Sequence, residues 1–246
     1  MERDAALEAV FMPVRPASTF EETVERLGSA IRLGLLAPGD RLPPERELAR
    51  RLRISRSTLR QALTALVQSG HLVSLRGRTG GTFVAEQPPR AEHDGEPLDQ
   101  GAWAVLEYRV AVESGAALLA AERGEEAEFD RLDELVEKMA GELEDFEEYR
   151  LTDIRFHIGI AEAAHSPRLL SAMTDVQAQM SGLIDLIAHP PEVLARSNEQ
   201  HARVVKALRK GDAARAVRCM REHTEGTEHI LAGLLPVPLR NGRPAA

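Results

Sequence analysis

The chain has 246 residues, of which 43% are hydrophobic and 28% charged, a composition that is typical of globular proteins and excludes a wholly disordered chain. Its single cysteine, Cys219, excludes an internal disulfide framework and a four-cysteine zinc finger. No segment holds the roughly 18 apolar residues that a membrane span needs, and the acidic start MERDAALEAV lacks the basic and apolar regions of a signal peptide. We therefore expect a cytoplasmic protein without a membrane partner.

The formal net charge of −8 is divided unevenly along the chain. Residues 1–90 hold 14 Arg and Lys against 10 Asp and Glu, a net of +4, whereas residues 91–246 hold 17 against 29, a net of −12. The sign changes across residues 86–99, EQPPRAEHDGEPLD, where three prolines and the lack of apolar residues prevent a helix or a buried strand. We predict two domains with different partners, joined by a linker over residues 87–99.

The first domain is predicted to contain three helices followed by a hairpin. A capping box that begins at Thr19 opens a helix through about Leu36, and Pro38-Gly39 ends it. Two short helical runs follow at about 44–52 and 55–69, after which two extended pieces, HLVSL and TFVA, flank the turn-rich RGRTGG. The predicted limits are a flexible N-terminus over residues 1–17 and a domain over residues 18–86.

The second domain is predicted to be helical throughout, because apolar residues recur three and four apart between turn signals. Short connections between such helices favour antiparallel neighbours in a compact bundle. We expect an all-α bundle of six to seven helices over residues 100–233 and a flexible, proline-containing tail over residues 234–246. Six helices are predicted near 101–123, 126–140, 145–164, 167–188, 191–209 and 212–233.

Residues 42–60, LPPERELARRLRISRSTLR, predict a helix-turn-helix, since two amphipathic helices meet at a tight turn near Arg53-Ile54. The hairpin that follows would form a wing. The predicted fold is therefore mainly α, a winged helix-turn-helix followed by the helical bundle. We expect one small core to fix the crossing of the two helices, formed by Leu48, Leu52, Ile54, Leu59, Leu63 and Leu66.

The second of these helices presents polar side chains outward. Counting 100° per residue with Leu59 inside places Arg56 at the margin of the outer face. Its N-terminus, capped by Ser55, adds free N–H groups and a positive dipole end that favour a phosphate. The residues on the outer face itself are Ser57, Arg60, Gln61 and Thr64.

Residues 40–85 hold nine arginines against three acids, a net of +6, and Arg76 and Arg78 lie at the hairpin tip. This pattern favours a basic surface for nucleic acid, and the alternative is a solvated face. Single-strand and RNA readers stack bases on aromatic side chains, whereas Phe83 is the one aromatic residue in this stretch. We therefore predict double-stranded DNA as the partner.

The stretch PGDRLPPERELARRLRISRSTLRQALTALVQSGHLVSLRGRTGGTFV is similar, in order and spacing, to the winged helix-turn-helix of the GntR family of bacterial transcription regulators. The resemblance spans about residues 18–86. One departure is Arg53, where the family usually has glycine; a left-handed arginine costs about 1 kcal/mol, and we still expect the turn to form. The resemblance implies DNA contacts from Arg46, Ser55, Arg56, Thr58, Arg60, Arg76 and Gly77, and the outer face adds Ser57.

The second domain offers a candidate metal site. Asp153 and His157 are four residues apart on one predicted helix, so both side chains project from the same face. His201 and His223 lie beside apolar runs on later helices. These nitrogen and oxygen donors suit Zn, Ni, Mn or Fe and leave positions for water or a ligand. The alternative is a set of hydrogen-bonded core residues.

Residues 103–231 resemble the all-helical FCD domain of the FadR-type GntR regulators, through the blocks LEYRVAVESGAALLAAER, DIRFHIGIAEAA and EQHARVVKALRKGDAARAVRCMREH. The resemblance implies a divalent metal ion of the Zn, Ni or Mn class. Arg109 matches an arginine that faces the ligand cavity, where it would clamp a carboxylate; the alternative is an ion pair with Glu113. The implied metal ligands are Asp153, His157, His201 and His223.

Together, the two resemblances predict a ligand-responsive transcription regulator and not an enzyme. A homodimer would bind palindromic operator DNA and sense a small organic acid through the metal, with repression as the family's usual sense of regulation. Two alternatives remain. One is a metal-dependent, hydrolase-like enzyme that activates water, and the other is a DNA-binding protein without a ligand whose histidines are structural.

Overall fold

A computed structural model describes residues 10–11, 19–77, 80–89 and 100–235. Their contacts define two compact units. The first comprises the chain up to Asp99 together with residues 186–192 and 229 onward, and the second comprises residues 100–185 and 193–228. Most of the predicted N-terminal segment, linker and tail lies outside the described residues, and the predicted domain limits stay a prediction.

The first unit contains the predicted three helices followed by a two-stranded antiparallel sheet, in which Leu72 pairs with Val84 and Leu75 with Gly81. Of the turn-rich RGRTGG that the sequence places between the strands, the structure describes Arg76, Gly77, Gly80 and Gly81. The elements are α1 (Thr19–Arg32), α2 (Glu45–Leu52), α3 (Arg56–Gln68), β1 (Leu72–Leu75) and β2 (Gly81–Val84).

Helix α1 ends at Arg32, four residues before the predicted end at Leu36. Gly34 takes a φ of 71°, and the N–H of Leu35 donates to the carbonyl of Ala30 at 2.9 Å. A left-handed glycine with this bond is a common helix terminator. Pro38-Gly39 was predicted to end the helix, but the left-handed Gly34 ends it earlier.

The turn between α2 and α3 forms with Arg53 in the left-handed region, at φ 55° and ψ 39°. The N–H of the next residue, Ile54, donates to the carbonyl of Ala49 at 3.1 Å and closes the end of α2. The arginine thus adopts the conformation that glycine usually adopts in this turn, and this costs the arginine about 1 kcal/mol. The predicted core also forms: Ile54 is half-buried, and the buried members are Leu48, Leu52, Leu59, Leu63 and Leu66.

Within the first unit, the chain from His229 onward packs against α1. A Cβ added to Gly28 would lie 1.8 Å from the carbonyl oxygen of Gly233, so the two backbones meet at a distance that excludes any side chain. Nearby, His229 Nδ1 lies 2.6 Å from Glu25 Oε2. The chain from His229 onward is therefore part of the first unit.

The second unit is helical in all its described residues that form regular structure, and the six predicted helices are confirmed to within a few residues at each end. Local signals place the helix starts: Asp145 and Ser166 cap two of them, and Pro167 occupies a first-turn position. No helix in the described part of the chain has the length and apolar character needed to cross a membrane. The helices are α4 (Gln100–Arg123), α5 (Glu126–Gly141), α6 (Phe146–Ala163), α7 (Pro167–Ile184), α8 (Pro191–Leu208) and α9 (Ala213–Leu234).

Candidate functional site

Helix α3 presents the polar surface that the sequence predicts. Its N-cap, Ser55, accepts a hydrogen bond from the N–H of Thr58 at 3.0 Å, and its hydroxyl lies 2.7 Å from that of Ser57. The first turn carries no acidic side chain. Uncapped N–H groups and a positive dipole end therefore point outward beside an exposed arginine, Arg56.

Arg60 is also exposed, but in this structure it forms an ion pair with Glu45 on α2, with Nη2 2.9 Å from the carboxylate. An ion pair this exposed is worth about 1 kcal/mol or less and exchanges readily for a phosphate. Arg46 is exposed on α2. The structure thus brings the predicted side chains of α2 and α3 to the surface of one helix-turn-helix.

The wing is described up to Gly77 and from Gly80 onward, so Arg78 lies outside the described residues. Arg76 is exposed, and Gly77 has a φ of 108°, which favours glycine at this position. A side chain on Gly77 would meet none of the described residues within 4 Å. Glycine is therefore needed for the backbone conformation and not for space.

A second cluster lies inside the bundle of the second unit. Asp153 and His157 come from α6, His201 from α8 and His223 from α9, and all four are buried. The Nε2 atoms of His157 and His201 lie 3.7 and 3.5 Å from Asp153 Oδ1. His201 Nε2 lies 3.4 Å from His223 Nε2. The structure thus brings all four predicted metal ligands together.

One ring nitrogen from each of His157, His201 and His223 lies within 4.8 Å of the other two, a spacing that a shared metal ion can span. Donors around a zinc ion with bonds of about 2.1 Å lie about 3.4 Å apart in a tetrahedron, close to the separations found here. Glu113 Oε2 lies 3.1 Å from His157 Nδ1, and Gln200 Oε1 lies 3.2 Å from His223 Nδ1. Gln200 Oε1 accepts the outer N–H of His223 and directs its Nε2 lone pair inward, as around histidine-bound metals, whereas Nδ1 of His157 and Nδ1 of His201 make no hydrogen bond among the described residues. The residues therefore fit a divalent metal ion.

Buried neighbours set the protonation of these groups. Burial lowers the pKa of His201 to about 3, and burial together with His201 and Arg109 holds the pKa of His223 well below its usual range. Burial alone would raise the pKa of Asp153, but His157 and the cations beside it outweigh burial and hold that pKa well below its usual range. Burial alone would lower the pKa of His157, but Glu113 and Asp153 outweigh burial and raise it to about 9. Neutral imidazoles and an ionised carboxylate are the forms that bind metals, so Asp153, His201 and His223 already have the binding form, whereas His157 must release a proton to bind.

Glu113 links the predicted effector residue to the metal ligands. Arg109 Nε donates to Glu113 Oε1 at 2.8 Å, and Arg109 Nη2 lies 2.9 Å from His223 Nε2. Burial alone would raise the pKa of Glu113, but Arg109 and His157 lower it to about 2. The two alternatives for Arg109 are thus compatible, because the ion pair with Glu113 holds the guanidinium inside the cluster.

Three polar residues of the cluster were missed in the sequence analysis. Arg150 Nη1 donates to Asp153 Oδ2 at 2.6 Å and to Gln177 Oε1 at 3.2 Å, and Gln177 donates to Glu113. Their signals were present: Arg150 stands three residues before an acid on one helix, and Gln177 interrupts an apolar stripe of α7. The third, Gln200, directly precedes His201.

Two family models match the chain, and they cover most of both units. Residues 104–226 match the FCD domain, and residues 19–84 match the family described as bacterial regulatory proteins, gntR family. The chain is 33% identical to "Putative HTH-type transcriptional regulator RmpR" of Mycobacterium gastri, over 91% of this chain and 84% of the relative.

Two relatives from Escherichia coli K12 extend the comparison. "Putative L-lactate dehydrogenase operon regulatory protein" is 33% identical, over 86% of each chain. "Glc operon transcriptional activator" is 30% identical, over 82% of this chain and 83% of the relative. The similarity therefore covers both units and not one domain alone.

Proposed function

The chain belongs to the GntR family of bacterial regulatory proteins and carries an FCD domain, and from this premise we propose that it binds operator DNA as a homodimer and senses a small carboxylate through a metal ion. It is a transcriptional regulator of the GntR/FCD type. Both matched domains and the relatives above belong to regulators and not to enzymes, which sets aside the hydrolase alternative. The observation that carries the proposal is the pairing, in one chain, of an exposed arginine-rich helix with a buried four-donor centre.

For DNA, the support is the outer face of α3. Arg56 and Arg60 are exposed on it, and the Ser55 cap orients the first turn. A helix of this kind enters the major groove, where arginine reads guanine bidentately and the N-terminus holds a phosphate. Arg46 and Arg76 would contact the backbone on either side. We therefore assign sequence reading to α3 and positioning to α2 and the wing.

For the homodimer, the support is an exposed apolar stripe on α4. Tyr108 and Leu118 are 39% and 38% exposed, and Ala111 and Gly115 lie between them at helical spacing. Contiguous apolar surface on a helix marks a protein interface, and a two-fold dimer would match a palindromic operator.

Light scattering of the purified chain should give twice the mass of one chain. Leu118→Glu should shift the particle towards one chain mass, because a buried unpaired carboxylate is costly at an interface. Glu122→Gln, one turn further on at an exposed position of the same helix, serves as the control. A monomeric wild-type chain at micromolar concentration would overturn the dimer and, with it, the palindromic operator.

The proposal of a carboxylate effector is supported by the balance of charges in the buried cluster. Arg109 and Arg150 balance Glu113 and Asp153 within the cluster, so a divalent ion would add two uncompensated positive charges. A small carboxylate would offset that charge and complete the coordination. A ligand that favours one arrangement of the DNA-binding domains changes DNA affinity by no more than its differential affinity for the two arrangements.

The test uses the full chain with Zn²⁺ and duplex DNA from upstream of its own gene. Fluorescence anisotropy should detect tight binding that L-lactate or another small carboxylate changes by about 5- to 150-fold, the usual range of allosteric coupling. The acid that acts should also raise the melting temperature by mass action. L-lactate comes first because the name of one relative contains L-lactate dehydrogenase. DNA binding that no acid or metal alters would support the ligand-free alternative.

Repression is the sense of regulation that the resemblance implies, and we propose it here. In transcription reactions with purified polymerase, adding the chain should lower transcript from the bound promoter. One relative is named as an activator, so a rise in transcript would reverse the assignment.

A further inference from the structure

Arg109 places a positive charge beside His223, one of the predicted metal ligands, where it would repel a metal ion. Its side chain is buried on α4, with a residue exposure of 4%. Nε donates to Glu113, Nη2 lies 2.9 Å from His223 Nε2, and Nη1 is buried with no hydrogen-bond partner among the described residues. An unpartnered guanidinium nitrogen inside a protein is costly, so Nη1 is available to donate to an anion that enters the cluster.

The contact with His223 fixes the direction of that hydrogen bond. A guanidinium donates and cannot accept, so His223 Nε2 must present its lone pair to Arg109. The outer nitrogen, Nδ1, correspondingly donates to Gln200 Oε1 at 3.2 Å. This tautomer is the one that binds a metal through Nε2. Since an imidazole nitrogen has a single lone pair, Arg109 and a metal ion compete for it.

We infer that Arg109 caps the metal site of the metal-free chain, and that a metal ion binding at His223 displaces the guanidinium and makes it available to an anionic carboxylate. Metal and acid then bind in that order and with positive cooperativity. This inference rests on the metal and carboxylate site of the proposed function. It adds that Arg109 opposes metal binding, and that an acid which binds the displaced guanidinium offsets this opposition.

Charge gives the second reason for cooperativity. Arginine keeps its proton in proteins, so a displaced Arg109 stays cationic beside an ion of charge +2. The carboxylates of Glu113 and Asp153 are already held by Arg109, His157 and Arg150. An incoming carboxylate would accept from Nη1 and Nη2 together, which is the bidentate geometry that guanidinium favours. By linkage, the metal must raise acid affinity as much as the acid raises metal affinity.

The test is metal affinity in the absence of any acid. Zn²⁺ is titrated into the chelator-treated full chain against a chromophoric competitor, for wild type, Arg109→Met and Arg109→Lys. Arg109→Met should bind Zn²⁺ about tenfold or more tightly than wild type, because nothing then competes for His223 Nε2. Arg109→Lys keeps the charge but loses the paired N–H donors of the guanidinium, and it should also bind Zn²⁺ more tightly than wild type.

Arg150→Met is the matched control. It removes a buried cation from the same cluster, but this cation contacts Asp153 and Gln177 and not the lone pair of His223. It should give a smaller gain in Zn²⁺ affinity than Arg109→Met, because it removes the same charge near the ion but frees no lone pair of His223. The inference that Arg109 caps the metal site would be overturned if Arg109→Met bound Zn²⁺ no more tightly than wild type. An equal gain in Zn²⁺ affinity in Arg150→Met would overturn it as well.

The two proposals fail in different ways. If no version of the chain binds Zn²⁺, the metal site of the proposed function fails; if wild type binds and Arg109→Met binds no better, the cap alone fails. A second readout repeats the titration in L-lactate, corrected for the Zn²⁺ that free lactate binds. Any gain in Zn²⁺ affinity that L-lactate gives wild type should vanish in Arg109→Met, and a gain that persists would contradict the role of Arg109.

Discussion

Replacing His201 or His223 by alanine should weaken metal binding by about a hundredfold, and replacing both should leave no bound metal after dialysis. The estimate follows because structural zinc sites gain roughly 10–16 kcal/mol from about four donors, so each donor carries a few kcal/mol. Elemental analysis of the dialysed chain, expected to give about one metal ion per wild-type chain, measures the loss. Unchanged metal content in the double variant would refute the assignment of Asp153, His157, His201 and His223.

The control separates ligand loss from general damage. His165→Asn changes a histidine that lies on the surface and contacts Glu128 at 3.0 Å, and asparagine tolerates its left-handed φ of 48°. Metal content should be unchanged in this variant. Asp153→Asn keeps the volume of the side chain while removing its charge, so it tests the site without a cavity. Circular dichroism confirms that each variant keeps its helices.

Arg56→Ala should reduce affinity for the operator by about tenfold to a hundredfold, and Arg56→Ala with Arg60→Ala should reduce it to the non-specific level. An arginine that reads a base contributes about 1–3 kcal/mol, and one that binds a phosphate lowers the salt slope by about one when removed. Gel-shift titrations at several salt concentrations distinguish the two roles. Both residues are exposed, so neither change should disturb the core of the first unit.

The matched control is Arg218→Ala, which removes the same charge from an exposed position on α9 in the second unit. Its operator affinity should equal that of wild type. Normal binding by both Arg56→Ala and Arg60→Ala would show that α3 is not the recognition helix. A uniform loss on every DNA sequence would instead assign these arginines to phosphate contacts.

Local rules in the sequence predicted the helices closely. Apolar residues three and four apart, with Pro, Gly, Asp or Ser at the ends, placed the six helices of the second unit to within a few residues. They do so because helix periodicity and capping depend on neighbours in sequence. The predicted end of α1 was wrong by four residues, because the left-handed Gly34 ends the helix before Pro38.

In the candidate site, too, the sequence predicted the contacts between residues close together in the chain and not those between distant residues. Asp153 and His157 were visible as a pair because they share one helix at i and i+4. His201 and His223 lie on other helices, and the resemblance, more than their spacing, pointed to a shared site. The contact between Arg109 and His223 joins residues 114 positions apart, and no local pattern predicts it. The predictions for the metal and for DNA contact await the measurements above.

By itself, the sequence determined the two-part organisation, the order of the helices and the surface of α3, since helical periodicity and capping depend on residues a few positions apart. Tertiary packing decided which polar groups of the cluster contact one another. It placed the carboxylate of Glu113 beside Nδ1 of His157, and the guanidinium of Arg109 beside Nε2 of His223, the nitrogen that would bind a metal. The physical reason is that a buried polar group must be paired wherever the helices cross, and only the crossing determines its partner.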